Sequence, residues 1–247
     1  MSHNPPSVDP AEIEKFAKFA NQWWDPRGSF APLHKFNPIR LRFIGDIAAD
    51  RFGRDLHATR PFEGLTLIDL GCGGGLLAEP MARLGFSVTG LDAAEQNVRA
   101  ARLHATRSGL SIAYHVGTAE EIAAQGQAFD VVLNMEVVEH VADFDGFVAA
   151  SAALLRPGGL MLVATINKTL KSLAFAKLAA EYVLRWVPAG THDWTRFVAP
   201  ATLCASLRNA GLEIIKVQGV TFDLLTWSWT LSADTDVNYI VAASRQT

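Results

Sequence analysis

The chain has 247 residues, 49% of them hydrophobic, and a chain of this kind can bury a sizeable core in a single α/β domain. Its formal net charge of -3 lacks the basic excess typical of proteins that bind a phosphate backbone, so we expect no nucleic-acid partner. Two cysteines are too few for a disulfide framework, and no apolar run is long enough for a transmembrane helix.

The N-terminal part of the chain is predicted to be helical. Residues 1–10 are polar and rich in proline, unlike a secretory or transit signal, so we expect a protein of a reducing compartment, the cytoplasm. Residues 11–24 show the apolar spacing of an amphipathic helix, and a second helix is predicted from Pro38 towards Arg51. Because both helices precede the first predicted strand, residues 1–60 are predicted to form a helical lid.

From residue 65 onwards, short apolar runs alternate with helical segments. This alternation indicates βαβ units and predicts an α/β fold, a Rossmann-like, doubly wound sheet of seven mostly parallel strands within a domain over residues 61–247. The last two strands have no helix between them and are predicted to pair antiparallel. An insertion at residues 167–200 follows the fifth strand. The predicted strands are 65–70, 87–91, 112–116, 129–134, 160–165, 212–217 and 237–243, with the first two helices between them at 76–84 and 97–108.

A glycine-rich turn follows the first strand, with Gly71 and Gly73 at its centre. Glycine has no Cβ, so the backbone amides of such a turn can approach a ligand closely. Leu76 stands where the dinucleotide-binding fingerprint has its third glycine, which favours a nucleoside ligand without a pyrophosphate. Asp92 ends the second strand about 20 residues later, where a carboxylate can accept hydrogen bonds from both ribose hydroxyls. Its alternative role is to cap the following helix.

These motifs resemble the seven-strand class I S-adenosylmethionine-dependent methyltransferase superfamily. The resemblance extends over nearly the whole chain to one family, the O-methyltransferases of ubiquinone biosynthesis. The superfamily motifs lie at residues 68–75, 90–92, 129–132 and 155–159, and the more specific signatures lie at residues 19–25, 33–40, 136–141, 190–194 and 236–239.

The resemblance implies S-adenosyl-L-methionine as the cofactor, with contacts from Arg40, Gly71, Asp92 and Met135. The Arg40 guanidinium would form a fork onto the cofactor's carboxylate, unless it is a solvated charge on its helix. Met135 would cover the adenine or the sulfonium, unless it packs in the core.

Two further acids are candidates around the cofactor. Asp69 would hold the ammonium of the methionine moiety or organise the amides of the glycine turn, including Gly73. In the superfamily an acid near the end of the third strand meets the adenine amine, and Glu120 is the candidate for that position here.

The acceptor side of the site is predicted at the end of the fourth strand. If residues 136–140 turn helically, Glu136, Glu139 and His140 lie on one face and could bind a divalent cation such as Mg²⁺ that chelates a catechol. The alternative is metal-free catalysis with His140 as the base, since phenols, with a pKa of about 10, need help to ionise. His192 on the insertion is a second candidate base or a structural histidine, and its proximity to Trp194 favours an aromatic acceptor pocket.

The insertion is also the predicted membrane contact. Residues 173–187 show a charged stripe and an apolar face, and the insertion is basic within an acidic protein, as in helices that lie on anionic lipid. The alternative is a helix that covers the protein's own pocket. Because the family's polyprenylated substrates reside in the bilayer, the resemblance implies peripheral association with the inner membrane.

The resemblance implies methylation of two phenolic intermediates at one site, 2-polyprenyl-6-hydroxyphenol and 3-demethylubiquinol, and other enzymes of ubiquinone biosynthesis are candidate partners. A methyltransferase for another small phenol and a weakly active cofactor-binding component of a biosynthetic complex are the alternatives. A nicotinamide dehydrogenase is disfavoured by Leu76 and by the antiparallel terminal strands.

Overall fold

The computed structural model describes residues 7–17, 19–173, 194–223 and 228–247. Short 3₁₀ turns lie at Ala20–Gln22 and Trp194–Arg196. The helices of the described residues are α1 (Pro10–Ala17), α2 (Ala31–Phe52), α3 (Ala78–Arg83), α4 (Glu95–Arg107), α5 (Ala119–Ala124), α6 (Phe144–Ala153), α7 (Leu170–Leu173) and α8 (Pro200–Asn209). The strands are β1 (Thr66–Leu70), β2 (Ser87–Asp92), β3 (Ala113–Val116), β4 (Phe129–Met135), β5 (Leu155–Ile166), β6 (Leu212–Asp223), β7 (Ser228–Ser232) and β8 (Asn238–Arg245).

The strands form one sheet in the order β3-β2-β1-β4-β5-β8-β6-β7. Strands β1 to β5 are parallel, and β8 lies antiparallel between β5 and β6. The doubly wound α/β fold and the antiparallel terminal pair are therefore confirmed. The strand count of seven is wrong, because β7 adds an eighth strand to β6 at the edge of the sheet. Its five residues alternate polar and apolar side chains over too short a length to stand out in the sequence.

Apolar layers cover both faces of the sheet. On one face, side chains of α2, α3 and α4 pack against residues such as Leu67 and Val131. On the other face, side chains of α6 and α8 pack against neighbours such as Ile68 and Val132. Because β1 and β4 are buried on both faces, their sequences are mostly apolar and do not alternate between polar and apolar residues.

The N-terminal helices differ from the prediction at their ends. The first helix stops at Ala17 instead of continuing to residue 24. The second begins at Ala31 and contains Pro38, the residue predicted to start it. Another proline, Pro32, occupies the first turn, where proline fits, while Pro38 in the interior forgoes one backbone hydrogen bond. Since α2 contributes Phe43 to the main core, the boundary between lid and domain at residue 60 stays a prediction.

Two predicted features fall partly or wholly outside the described residues. All of the predicted interfacial helix at 173–187 except its first residue, and His192, lie in the stretch 174–193, of which the structure describes nothing. Within the described residues, no helix combines the length and the apolar character that crossing a bilayer requires.

Candidate active site

A cavity of about 470 Å³ opens at the carboxyl ends of the parallel strands. The last residues of four strands, Leu70, Asp92, Met135 and Ile166, all contribute to its wall. This is the edge where open α/β sheets bind their ligands, and the volume suits a ligand of nucleoside size or larger. The cavity also brings together most of the residues that the sequence predicted for the site.

The glycine turn forms one wall of the cavity. Gly71 and Gly73 have φ angles of 66° and 52°, a region that side chains with a Cβ rarely adopt. A Cβ on Gly71 would lie 2.5 Å from a methyl of Val137, and one on Gly73 would collide with the ring of Trp23. Both positions therefore require glycine, as the sequence predicted.

Trp23 has a role in the site that the sequence did not reveal. Its ring stacks on Phe30 with centroids 3.7 Å apart, and its Nε1 donates to Asn97 Oδ1 at 2.9 Å. Trp23 thereby fixes the N-terminal segment above the glycine turn. Residues 19–25 matched a family signature, which was the available signal, but the motif alone did not indicate a contact with Gly73.

Asp92 braces both the glycine turn and the start of the next helix. Its Oδ2 accepts the amide of Gly73 at 2.9 Å, and its Oδ1 accepts the amide of Ala94 at 2.8 Å and Asn97 Nδ2 at 3.2 Å. The helix α4 is capped at Ala94, so Asp92 braces the residue that precedes the helix and is not itself the cap. The same carboxylate lies on the cavity wall, within reach of a ligand.

Three charged side chains, Arg40, Asp69 and Glu136, lie together on the cavity wall. Arg40 is 3% exposed and donates to Asn37 Oδ1 at 2.9 Å, and it is not a solvated charge on its helix. Burial raises the pKa of Asp69 to about 7, against the opposing charge of Arg40. Burial and the neighbouring Glu139 raise the pKa of Glu136 to about 8.

Several polar atoms of this wall have no hydrogen-bond partner among the described residues: Arg40 Nε, Asp69 Oδ2, Glu120 Oε2 and Glu136 Oε1. Buried polar atoms are normally satisfied, so an unpaired donor beside unpaired acceptors in one cavity indicates a polar ligand. Glu120 adds its unpaired oxygen near the end of β3, while its Oε1 accepts the amide of Ser7 at 3.2 Å. Met135 is 6% exposed and belongs to both the cavity wall and the core.

The segment after β4 is a turn, and the helical face predicted for it is wrong. Glu136 has a φ angle of 60°, the only positive value of a non-glycine residue in the described chain, and this strained conformation turns the backbone out of the strand. Glu139 Oε2 accepts Thr165 Oγ1 at 2.8 Å. His140 Nδ1 lies 2.8 Å from Glu12 Oε2. No sequence pattern pointed to Glu12, which is 128 residues away.

The predicted metal ligands Glu136, Glu139 and His140 do not form a three-ligand group. No set of three His, Cys, Asp or Glu side chains among the described residues is arranged to hold a metal ion. The physical reason is the left-handed turn at Glu136, which replaces the helical spacing on which that prediction rested. All three side chains still lie on the cavity wall, so they are available for catalysis without a shared metal.

Part of the cavity wall is apolar. Phe36 and Trp229 have ring centroids 4.8 Å apart, and Ile166 and Val237 also line the cavity. Trp194, in contrast, donates its Nε1 to the carbonyl of Thr169 at 3.1 Å and lies outside the cavity wall of the described residues. The aromatic side of the pocket therefore comes from α2 and β7, elements that the sequence did not assign to it.

Comparisons with known proteins agree with this geometry. The family of the methyltransferase domain matches residues 42–217. The ubiquinone biosynthesis O-methyltransferase of Caulobacter vibrioides is 55% identical over 97% of this chain and 95% of that protein. The protein of the same name from Cereibacter sphaeroides is 54% identical over 98% of both chains.

Solved structures support the fold at low identity. The magnesium protoporphyrin IX methyltransferase of Synechocystis, with bound SAH, has a TM-score of 0.65 and 20% identity over 94% of this chain and 95% of that one. A SAM-dependent methyltransferase from Thermotoga maritima has a TM-score of 0.65 and 16% identity over 95% and 99% of the two chains.

Proposed function

This chain belongs to the family of ubiquinone biosynthesis O-methyltransferases, which use S-adenosylmethionine, and we propose that the cavity described above is its one active site. In this proposal the same site methylates a phenolic oxygen of 2-polyprenyl-6-hydroxyphenol and of 3-demethylubiquinol. The observation that carries the proposal is that the glycine turn and the Glu139–His140 turn line one cavity, together with apolar side chains such as Phe36 and Trp229.

The charges of the cavity wall match the polar groups of S-adenosylmethionine. Asp69 is the partner for its ammonium, Arg40 for its carboxylate and Asp92 for its ribose hydroxyls, because each ligand group then meets the opposite charge or an acceptor. Glu120 Oε2 is the acceptor for the adenine amine, and the unpaired oxygens of Asp69 and Glu120 support these assignments. When bound, the cofactor supplies an electrophilic methyl group on a sulfonium.

The Glu139–His140 turn supplies the groups that act on the acceptor. His140 accepts the phenolic proton, so that the oxygen can attack the methyl carbon while the carbon–sulfur bond breaks and its electron pair stays on sulfur. Glu139, whose carboxylate accepts the hydroxyl of Thr165, is a second catalytic candidate on the same turn and lines the cavity. The apolar surface of Phe36, Ile166 and Trp229 is the place for the aromatic ring and the first part of the prenyl tail.

A methylation assay with a short-chain prenyl catechol tests this function and separates it from the alternatives. We expect transfer of one methyl group per acceptor from S-adenosylmethionine, and we expect the 3-demethylubiquinol analogue to be methylated by the same preparation. Cofactor binding without turnover of either acceptor would favour a binding component of a complex. Turnover of simple phenols with no preference for the prenylated ones would favour another small-molecule substrate.

Peripheral membrane association through the insertion at residues 167–200 is the second part of the proposal. Two of the basic residues in this region are paired with carboxylates, so they contribute less positive charge than the sequence suggested. Lys171 Nζ lies 2.5 Å from Asp234 Oδ2 and 3.3 Å from Asp236 Oδ2, and Arg196 pairs with Asp9 at 2.7 Å. The observation that favours a lipid contact is Leu170, which is 78% exposed at the start of the insertion.

Flotation with vesicles tests the membrane contact. We expect the protein to bind vesicles that contain anionic lipid and to bind less after replacement of Leu170, Lys177 and Arg185 by glutamate. The matched control is Leu103→Glu, an exposed leucine on α4, which should leave binding unchanged. No binding by the unmodified protein would refute this part of the proposal without affecting the catalytic part.

A further inference from the structure

A short N-terminal stretch, residues 7–12, lies directly on the turn that carries His140, and we call it the N-terminal strap. Val8 forms an antiparallel bridge with Val141, and the amide of Ala142 donates to the carbonyl of Ser7 at 2.6 Å. At the start of α1, Asp9 Oδ2 accepts Arg196 Nη2 at 2.7 Å. The strap is therefore held at two points, the bridge to Val141 and the ion pair with Arg196.

The strap brings one carboxylate to the catalytic turn. Glu12 Oε2 lies 2.8 Å from His140 Nδ1, and the two side chains are only 21% and 18% exposed. Both residues line the cavity. A pair of this length and burial is a defined hydrogen bond and not a loose surface ion pair.

Helix capping is an alternative explanation for the position of Glu12 near the start of α1. Asp9 caps α1 through its Oδ1, which accepts the amide of Ala11 at 3.0 Å, and Glu12 is the third residue of the helix. A glutamate at that position commonly reaches back to the amide of the capping residue. Oε2 of Glu12 contacts His140, and helix capping does not require this contact.

We propose that Glu12 is a positioning residue that fixes the tautomer and the orientation of His140 for proton abstraction from the acceptor. This inference rests on the proposed function, in which His140 is the base. An ionised carboxylate can only accept hydrogen bonds, so the imidazole must carry its proton on Nδ1, and the basic lone pair of the neutral ring is then on Nε2. After Nε2 takes the phenolic proton, the Glu12 carboxylate faces an imidazolium and stabilises it. The proton passes to solvent once the methylated product leaves.

The proposal also assigns a function to the N-terminal strap. Glu12 reaches His140 only when the Val8–Val141 bridge and the Asp9–Arg196 pair hold the start of α1 in place. When the strap lies on the cavity wall, it therefore also holds His140 in the tautomer that can act as the base. An enzyme without an ordered strap would still hold the cofactor wall of Asp69 and Asp92 but would have a less effective base.

Steady-state kinetics of Glu12→Gln, Glu12→Ala, His140→Gln and the double variant Glu12→Gln/His140→Gln test this inference. Glutamine at residue 12 keeps the size and the capping capacity of glutamate but not its charge. Glu14→Gln is the matched control, because Glu14 is exposed on the same helix. Two acceptors are compared, a short-chain prenyl catechol and a nitrocatechol whose phenol ionises more easily.

We expect kcat for the prenyl catechol to fall about 100- to 1,000-fold in His140→Gln and about 10- to 100-fold in Glu12→Gln. The KM values for both substrates and the thermal midpoint should stay near those of the unmodified enzyme. The double variant should be no slower than His140→Gln, because the carboxylate acts only through the imidazole. The loss in Glu12→Gln should shrink with the nitrocatechol, since a more acidic phenol depends less on the base.

Other outcomes distinguish a failure of His140 as the base from a failure of Glu12 as its positioning residue. Full activity of His140→Gln would remove the proposed base, and the role of Glu12 with it. A slow His140→Gln together with a fully active Glu12→Gln and Glu12→Ala would overturn the role of Glu12 alone. A loss in Glu12→Gln that is equal for both acceptors, or that comes with a lower thermal midpoint or a raised KM, would show a purely structural strap.

Discussion

The buried carboxylate of Asp69 should make cofactor binding depend on pH around neutrality. Burial raises the pKa of Asp69 to about 7 in the cofactor-free protein. An ammonium group prefers the ionised carboxylate, so binding must remove the proton wherever Asp69 is still protonated. With a pKa of about 7, the ionised fraction rises from roughly a tenth at pH 6 to roughly nine tenths at pH 8. The affinity should therefore increase about tenfold over this range and level off above it.

Isothermal titration calorimetry with S-adenosylhomocysteine measures both parts of this prediction. The dissociation constant should fall about tenfold from pH 6 to pH 8 at constant ionic strength. Titrations in two buffers of different ionisation enthalpy should show the release of nearly one proton per ligand at pH 6 and almost none at pH 8. Asp50→Asn, on an exposed residue of α2, is the control and should keep this profile.

The variant Asp69→Asn separates this carboxylate from its neighbours. We expect it to bind about 10- to 100-fold more weakly at pH 8, as is typical of a lost hydrogen bond to a charged group, and to lose most of the pH dependence. Any remaining slope would report Glu136, whose pKa is raised to about 8. A wild-type affinity that is flat from pH 6 to pH 8, without proton release, would refute the reasoning.

Three further predictions follow from the same contacts. Gly73→Ala places a methyl group against the ring of Trp23 at a φ angle of 52°. It should destabilise the protein by about 1 to 3 kcal/mol in thermal or chemical unfolding and weaken the binding of S-adenosylhomocysteine. An unchanged unfolding midpoint would contradict this prediction. Thr165→Val leaves Glu139 Oε2 without its donor and should cost about 1 to 3 kcal/mol of unfolding free energy, whereas Thr165→Ser should be close to neutral. Arg40→Lys keeps the charge but loses the planar fork, so the dissociation constant for S-adenosylhomocysteine should rise about tenfold with kcat little changed; equal affinity would show that Arg40 does not contact the ligand.

The sequence predicted the sheet well because its signal is local and repeated. The central strands β1 and β4 are largely buried on both faces. The predicted positions of the parallel strands agree with the structure to within a residue or two, except for β5, which begins before its predicted start. The edge strand β7 was missed, because a short alternating strand buries little apolar surface. The predicted helix start at Pro38 is wrong, because the sequence does not show that Pro32 already occupies the first turn.

The candidate site, too, could be predicted from the sequence only in part. The placement of Gly71, Gly73 and Asp92 on one cavity wall could be predicted, since they belong to one strand–turn–helix unit with fixed spacing. The arrangement of the turn after β4 could not, since it depends on a left-handed Glu136 and on contacts between residues far apart in the chain. Glu12 reaches His140 across 128 residues, and no periodic pattern encodes such a contact.

The central claim is that one cavity methylates both phenolic intermediates with His140 as the base. The most direct test is the transfer of labelled methyl groups from S-adenosylmethionine to a short-chain 2-prenyl-6-hydroxyphenol and to a short-chain 3-demethylubiquinol, by the wild-type protein and by His140→Gln. We predict that the wild-type protein methylates both and that His140→Gln slows both by a similar factor, while the affinity for S-adenosylhomocysteine stays the same. Loss of one activity with full retention of the other would contradict the account.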